Sequence, residues 1–208
     1  MLHVEKFNYQ DLDDLYANTY VVSDSLNNCV VIDPSVDNDG VANYINKHNL
    51  NLKAILLTHG HFDHIRGVDR FLDVPLYIHQ LDEAMLYDSY LNGSEMLAKE
   101  IVVKHKCELI KEGDILDLLE DKIQVVHTPF HTKGSACYYF INNRLLFSGD
   151  TLFKGSIGRD DLPNSIPSKM KESLNKLKAL PKDCKIYPGH GSNSTLEFEL
   201  NYNYFLTR

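Results

Sequence analysis

The sequence of 208 residues predicts a single domain of the α/β or α+β class. Three observations predict it. Strand-like and helix-like runs alternate along the whole chain. No repeat, low-complexity tract or Pro/Gly/Ser-rich linker divides them. A chain of this length buries roughly 70% of the surface its unfolded form exposes, enough for one sizeable core. At 43% hydrophobic and 24% charged residues, the composition is that of an ordinary globular protein.

The elements follow in order. Asn18-Thr19-Tyr20-Val21-Val22-Ser23 and Cys29-Val30-Val31-Ile32-Asp33 flank Ser25-Leu26-Asn27-Asn28, reading as two strands of a hairpin. Asp33-Pro34-Ser35 stops the second strand, because proline has no amide hydrogen to donate. Val41, Ala42, Tyr44 and Ile45 share one face of a helix over 37–48. Ala54-Ile55-Leu56-Leu57 is wholly apolar, as in a strand covered on both faces, so the residues after it lie at a sheet edge. Residues 80–106 read as helical, interrupted at Leu91-Asn92-Gly93-Ser94. Strands are expected at 108–110, 115–118, 123–127, 135–141 and 144–148, the last two joined by a turn at Asn142-Asn143. Ile166, Met170, Leu174 and Leu177 mark an amphipathic helix bounded by Pro167 and Pro181. Lys185-Ile186-Tyr187 is a last strand, and a helix from about Ser194 to Leu206 closes the chain.

Twenty-one Lys and Arg against twenty-nine Asp and Glu leave a net charge of −8, with no basic run. That balance excludes nucleic acid and anionic membrane as the main partner. Met1-Leu2-His3-Val4-Glu5-Lys6 lacks the basic and apolar regions of a signal peptide, and a cytoplasmic location is expected. Cys29, Cys107, Cys137 and Cys184 lie far apart with no Cys-x-x-Cys pair, which points to small buried hydrophobes rather than to disulfides or a thiolate zinc site.

Of ten histidines, three crowd into Thr58-His59-Gly60-His61-Phe62-Asp63-His64, directly after the apolar strand. On extended backbone, residues two apart point the same way, so His59 and His61 can ligate one metal ion. If the chain then turns into a helix, Asp63 and His64 can reach a second. Imidazole and carboxylate are ligands that zinc, iron and manganese accept. Three further pieces fall at strand ends: His131 in His127-Thr128-Pro129-Phe130-His131-Thr132-Lys133-Gly134-Ser135, Asp150 in Phe147-Ser148-Gly149-Asp150-Thr151, and His190 in Pro188-Gly189-His190-Gly191. Aspartate has two oxygens and can bridge two ions. Alone, His131 and His190 read as surface histidines and Asp150 as a helix cap; together with the cluster they read as ligands.

These motifs, in this order, resemble the metallo-β-lactamase superfamily and, within it, the small hydrolases similar to glyoxalase II (hydroxyacylglutathione hydrolase). The resemblance implies a four-layer αββα sandwich of the α/β class, with a dinuclear metal site at one sheet edge. It implies that His59, His61 and His131 hold one divalent ion, that Asp63, His64 and His190 hold the other, and that Asp150 bridges. Zinc is the expected metal, with iron and manganese as alternatives. Asp33 resembles the family's buried aspartate, which orients a ligand without touching metal. Gly149 to Asp160, with its Gly158-Arg159 element, is similar to small glyoxalase II-like proteins and to persulfide dioxygenases, and Arg159 falls where a basic residue grips the thiol carrier's carboxylate. Its other reading is a surface salt bridge with Asp160 or Asp161. Phe130 stands where the family often has glycine, which implies a narrowed pocket mouth. The chain ends eighteen residues after His190, so the separate helical domain that contributes glutathione contacts in full-length glyoxalase II is not expected.

The implied activity is hydrolysis of a small thioester, such as a hydroxyacyl-glutathione, by a hydroxide shared between the two ions, with Asp63 both ligating and orienting it. Ser135 and Cys137 have no spare histidine to activate them, which argues against covalent catalysis. A mononuclear iron persulfide dioxygenase is the first alternative, held by residues matching His59, His131 and Asp150. Lactonase or phosphodiesterase activity of the same fold stays open, and a β-lactamase role is weakened by the missing export signal. A non-enzymatic metal domain fits poorly, because structural zinc sites are closed by four protein ligands. Whether 81–106 forms a flap over the pocket or packs as outer helices is left open.

Overall fold

The structure, a computed structural model, describes residues 1–9 and 16–207. Two six-stranded sheets face each other. The first contains β1 (His3–Phe7), β2 (Thr19–Ser23), β3 (Asn28–Ile32), β4 (Asn51–Leu56), β5 (Leu76–His79) and β6 (Cys107–Ile110) in chain order. The second contains β7 (Ile115–Leu116), β8 (Ile123–His127), β9 (Ala136–Phe140), β10 (Leu145–Gly149), β11 (Lys185–Pro188) and β12 (Ser194–Thr195). The α-helices among the described residues are α1 (Gly40–Lys47), α2 (Phe62–Ile65), α3 (Met170–Lys178) and α4 (Leu196–Tyr202).

Alternation along each strand builds four layers. Val30 and Ile32 of β3 face Ile123, Val125, Tyr138, Phe140 and Phe147 of the opposite sheet. The intervening Cys29 and Val31 face Val41 and Ile45 of α1. Successive side chains of a strand point to opposite faces, so a strand buried on both sides is apolar throughout. On the far side Leu174 and Leu177 of α3 and Leu196 of α4 cover Cys137, Leu146 and Ile186. This is the αββα sandwich, and each buried Leu or Ile contributes about 1.5–3 kcal/mol.

Strand direction places the site. β3, β4 and β5 are parallel neighbours and end at the same edge. β8 and β10 each pair antiparallel with β9, and β11 runs parallel to β10, so these three also share an edge. Asp33, the His59 cluster, His131, Asp150 and His190 all follow these strand ends.

Several elements depart from expectation. Residues 80–106 form no α-helix; they make 3-10 turns at Glu83–Leu86 and Ser94–Met96. The reason is local: Asn92 Nδ2 donates to the carbonyls of Met85 and Ile101, Ser94 N donates to Asn92 Oδ1, and Ile101 N donates to Ser94 Oγ. Side chains thus take the bonds a helical ladder would use. β1 and β5 were not anticipated. β1 is an edge strand with charges at Glu5 and Lys6, and β5 is a four-residue run after Pro75. Pro167–Lys169 is a 3-10 turn that leads into α3, and the C-terminal helix is shorter than expected, α4 starting after β12. Cys29, Cys137 and Cys184 are buried free thiols and Cys107 is half-buried, as small hydrophobes are.

Candidate metal centre

All the sequence-expected ligands come together. Ligand atoms of His59, His61 and His131 lie within 4.8 Å of one another, and so do those of Asp63, His64 and His190. These are the two groups of three that the family resemblance implied. Asp150 stands between them: its Oδ1 is 3.4 Å from His64 Nε2, and its Oδ2 is 3.5 Å from both His131 Nε2 and His190 Nε2. Asp63 Oδ2 is 3.1 Å from His190 Nε2 and 3.7 Å from His64 Nε2.

The fixed tautomers explain why these nitrogens face inward. Thr58 Oγ1 donates to Asp33 Oδ2 at 2.7 Å, so the same oxygen accepts from His59 Nδ1 at 3.1 Å. His64 Nδ1 donates to Asp33 Oδ2 at 2.9 Å, and His131 Nδ1 donates to the Arg159 carbonyl at 2.7 Å. Each outer nitrogen carries its proton outward, which leaves the Nε2 lone pair of His59, His64 and His131 pointing into the site. His61 turns the other nitrogen inward, with Nδ1 2.9 Å from His131 Nε2. Asp33 adopts a positive φ of 50°, tolerated by aspartate, and also accepts from Thr58 N at 2.8 Å. It thus contacts Thr58 and the outer nitrogen of His64.

The donor set fits metal ions. Among the described residues, His59 Nε2, His64 Nε2 and Asp150 Oδ1 are buried with no hydrogen-bond partner. Each such atom costs about 1–3 kcal/mol unless something binds it. Burial holds the His59 imidazole well below its usual range, and burial with the His131 ring pushes His61 down to about 3, so both rings are neutral and offer a lone pair. Burial opposes charge on His64, yet the carboxylates of Asp63, Asp33 and Asp150 outweigh it and hold that ring well above its usual range. This half of the site therefore calls for positive charge.

Backbone approach makes room. Gly149 has a φ of +47°, and a Cβ there would meet Thr58 Oγ1 at 2.3 Å; a Cβ on Gly189 would lie 2.2 Å from Asp150 Oδ1 and 2.8 Å from His64 Cε1. Only glycine lets these two turns close on the ligands.

The family model of the metallo-β-lactamase superfamily matches residues 12–190. The chain belongs to the metallo-β-lactamase superfamily. It is 35% identical over 207 residues to a probable metallo-hydrolase, YqgX, of Bacillus subtilis, covering 97% of each chain. Among solved structures it resembles the BLEG-1 B3 metallo-β-lactamase with a TM-score of 0.91 and 34% identity, over 99% of this chain and 100% of that one. It also resembles TTHA1623, solved in a di-iron-bound form, with a TM-score of 0.78 and 34% identity, over 94% and 98% of the two chains.

Within this superfamily member, two expectations turn out differently or in one of two ways. Phe130 lines no pocket mouth; it is fully buried beneath α3 with Leu152 and Ile157, because the loop folds it onto the apolar outer layer. The Arg159 guanidinium pairs with Asp161, through Nε at 2.6 Å and Nη2 at 3.0 Å, and its side chain is 63% exposed. What Arg159 brings directly to the site is its carbonyl, on His131. Sequence reasoning missed Thr58, the relay between Asp33 and His59, although it adjoins the cluster. It also missed Phe153, whose ring centroid is 5.9 Å from that of His190, and Asp82, whose position in an assumed helix carried no motif.

Proposed function

We propose that the chain is a dinuclear metallohydrolase that cleaves a small thioester, of the hydroxyacyl-glutathione kind. The observation that carries the reading is the convergence of two three-residue sets on Asp150, whose two oxygens face them. The relative named as a probable metallo-hydrolase supports hydrolysis over the whole chain length. Two divalent ions held there would supply an acidified water as nucleophile and a Lewis acid for a carbonyl oxygen.

The chain's own residues do the rest. His59, His61 and His131 would hold one ion and Asp63, His64 and His190 the other, with Asp150 shared. Asp63, with Oδ2 3.1 Å from His190 Nε2, would ligate the second ion and orient the attacking hydroxide, and the thiolate that leaves when the C–S bond breaks takes its proton from solvent. No protein nucleophile competes: burial pushes the Cys137 thiol up to about 11, and Ser135 Oγ is 2.7 Å from Thr132 Oγ1. Arg159 reaches substrate by exchanging Asp161 for the carboxylate of a thiol carrier. Its main chain is anchored on His131, so its side chain leaves the backbone beside the first set.

A second reading, β-lactam hydrolysis, is favoured by the likeness to the BLEG-1 enzyme; the same groups would attack an amide carbonyl. The likeness to a di-iron structure makes iron a candidate beside zinc and manganese. The test is elemental analysis of protein purified without added metal, then thiol release from a lactoyl thioester of glutathione, run beside a chromogenic β-lactam and beside oxygen uptake with glutathione persulfide. About two metal equivalents and thiol release are expected. β-Lactam cleavage without thiol release moves the assignment to that substrate, and one iron with oxygen uptake overturns hydrolysis.

A further inference from the structure

Asp82 is a fully buried carboxylate that the proposed chemistry does not use. It enters from the turn after β5 and accepts four hydrogen bonds, two on each oxygen. Oδ2 accepts from Gly60 N at 3.3 Å and from Thr132 Oγ1 at 2.6 Å. Oδ1 accepts from Gly134 N at 2.7 Å and from Asn164 Nδ2 at 3.3 Å. Gly60 lies between His59 and His61, and Thr132 follows His131. One side chain therefore ties together the main-chain neighbours of all three residues of the first set, although these come from opposite sheets. Among the described residues, none of these four bonds reaches a neighbour of Asp63, His64 or His190.

The surroundings are shaped for it. A Cβ on Gly134 would lie 2.7 Å from Asp82 Cγ, and a Cβ on Gly60 would meet Met85 Cβ at 2.5 Å and the Asp82 carbonyl oxygen at 3.3 Å. Both loops are kept bare where the Asp82 turn seats. A buried carboxylate with two donors on each oxygen is satisfied as an anion, and such anchors hold neighbouring groups in place. Outer hydrogen-bond partners of ligands typically change metal affinity by about 10–100-fold when removed.

We propose that Asp82 is a positioning residue that sets the separation between the His59–His61 loop and the His131 loop, and so the affinity of the first set for its ion. The inference rests on the reading of these histidines as metal ligands. An Asp82→Asn side chain keeps the shape but offers only one accepting oxygen, so part of the donor array loses its partner. The experiment is stepwise zinc binding to the metal-free protein, followed by competition with a chromogenic chelator, for wild type, Asp82→Asn and Thr132→Val.

Wild type should bind two equivalents. Asp82→Asn should weaken one of them by about 10–100-fold and leave the other within about threefold. Thr132→Val removes one donor and leaves the carboxylate; it should weaken the same equivalent by a smaller factor, and kcat should fall while KM stays within twofold or so. If Asp82→Asn does not fold, Thr132→Val carries the test alone. Both equivalents unchanged in either folded variant overturns the proposal. So does a lowered unfolding temperature of the metal-free protein with unaltered stepwise affinities, which is the mark of a purely structural role. A wild-type protein that binds no zinc, iron or manganese refutes the metal-site reading itself, an outcome distinct from two tight equivalents in every variant.

Discussion

At the scale of single residues, Asp150 carries the most weight, because its carboxylate oxygens lie 3.4–3.5 Å from histidine nitrogens of both sets. Burial would raise its carboxyl, but the imidazoles of His190 and His64 outweigh burial and hold it well below the usual carboxylate range. A permanent anion there neutralises cations on both sides. Asp150→Ala should therefore lower metal content and turnover together, by more than the about 10–100-fold that a group outside the ligand set causes; elemental analysis beside a thiol-release assay checks it. Full metal content with full activity would show that the bridge is misassigned. Arg159 makes the opposite case. Only its carbonyl touches a ligand, so Arg159→Ala should keep its metals. Its charge-assisted bond to a substrate carboxylate, about 1.5–3 kcal/mol, corresponds to a loss of about 10–100-fold in kcat/KM on glutathione thioesters. A variant as active as wild type would leave Arg159 as the surface partner of Asp161.

At the scale of elements, the site is made of turns at strand ends, and the turns are held by sheet register. Pro188 pairs with Gly149 across the parallel β10–β11 ladder, and Gly189 N donates to the Gly149 carbonyl at 2.8 Å. The two strands thus deliver Asp150 and His190 to one place. Gly189 is the point of closest approach, and an added methyl there collides with Asp150 Oδ1, a group with no room to move because His64 and His190 pack around it. Gly189→Ala should cost about one metal equivalent, measured by elemental analysis, while the far-ultraviolet circular dichroism stays that of wild type. Retention of both equivalents would mean that the turn relaxes freely. The 80–106 segment shows the converse: its apolar spacing suits a helix, but Asn92 and Ser94 bind the backbone and win locally.

At the scale of the whole molecule, the two sheets are joined by polar as well as apolar contacts. Tyr20 of β2 donates to the Pro188 carbonyl at 2.7 Å, and Tyr138 of β9 donates to the Leu57 carbonyl at 2.8 Å. His79 at the end of β5 stacks on His127 at the end of β8, with centroids 3.8 Å apart and planes 13° apart. Burial and the His127 ring push His79 down to about 4, and burial lowers His127 as well. Between about pH 6.5 and pH 4 the unfolded chain then binds more protons than the folded one at these two sites, so their share of stability is present above that window and is lost as pH falls through it. His79→Phe keeps a ring in the stack and removes the proton site. Its melting temperature should fall less than that of wild type between pH 7 and pH 5; parallel curves in differential scanning fluorimetry would exclude the pair as the source.

Much of this was legible in the sequence because it is local. The β2–β3 hairpin, β4, β8 to β11, α1 and α3 announce themselves by periodicity and by their turn residues, and the His59 to His64 cluster is contiguous in the chain. The ligand types and their order were therefore readable one-dimensionally, and the family resemblance grouped them. The relations between chain segments were not readable, since nothing in a sequence encodes how far apart two loops come to rest. That Thr58 relays Asp33 to His59, that Arg159 serves His131 through its carbonyl, that Phe130 turns into the outer layer and that Asp82 spans two loops are decided by packing. A buried polar atom must find its partner wherever the fold brings one, and that partner can lie 82 positions away, as Asn164 does from Asp82.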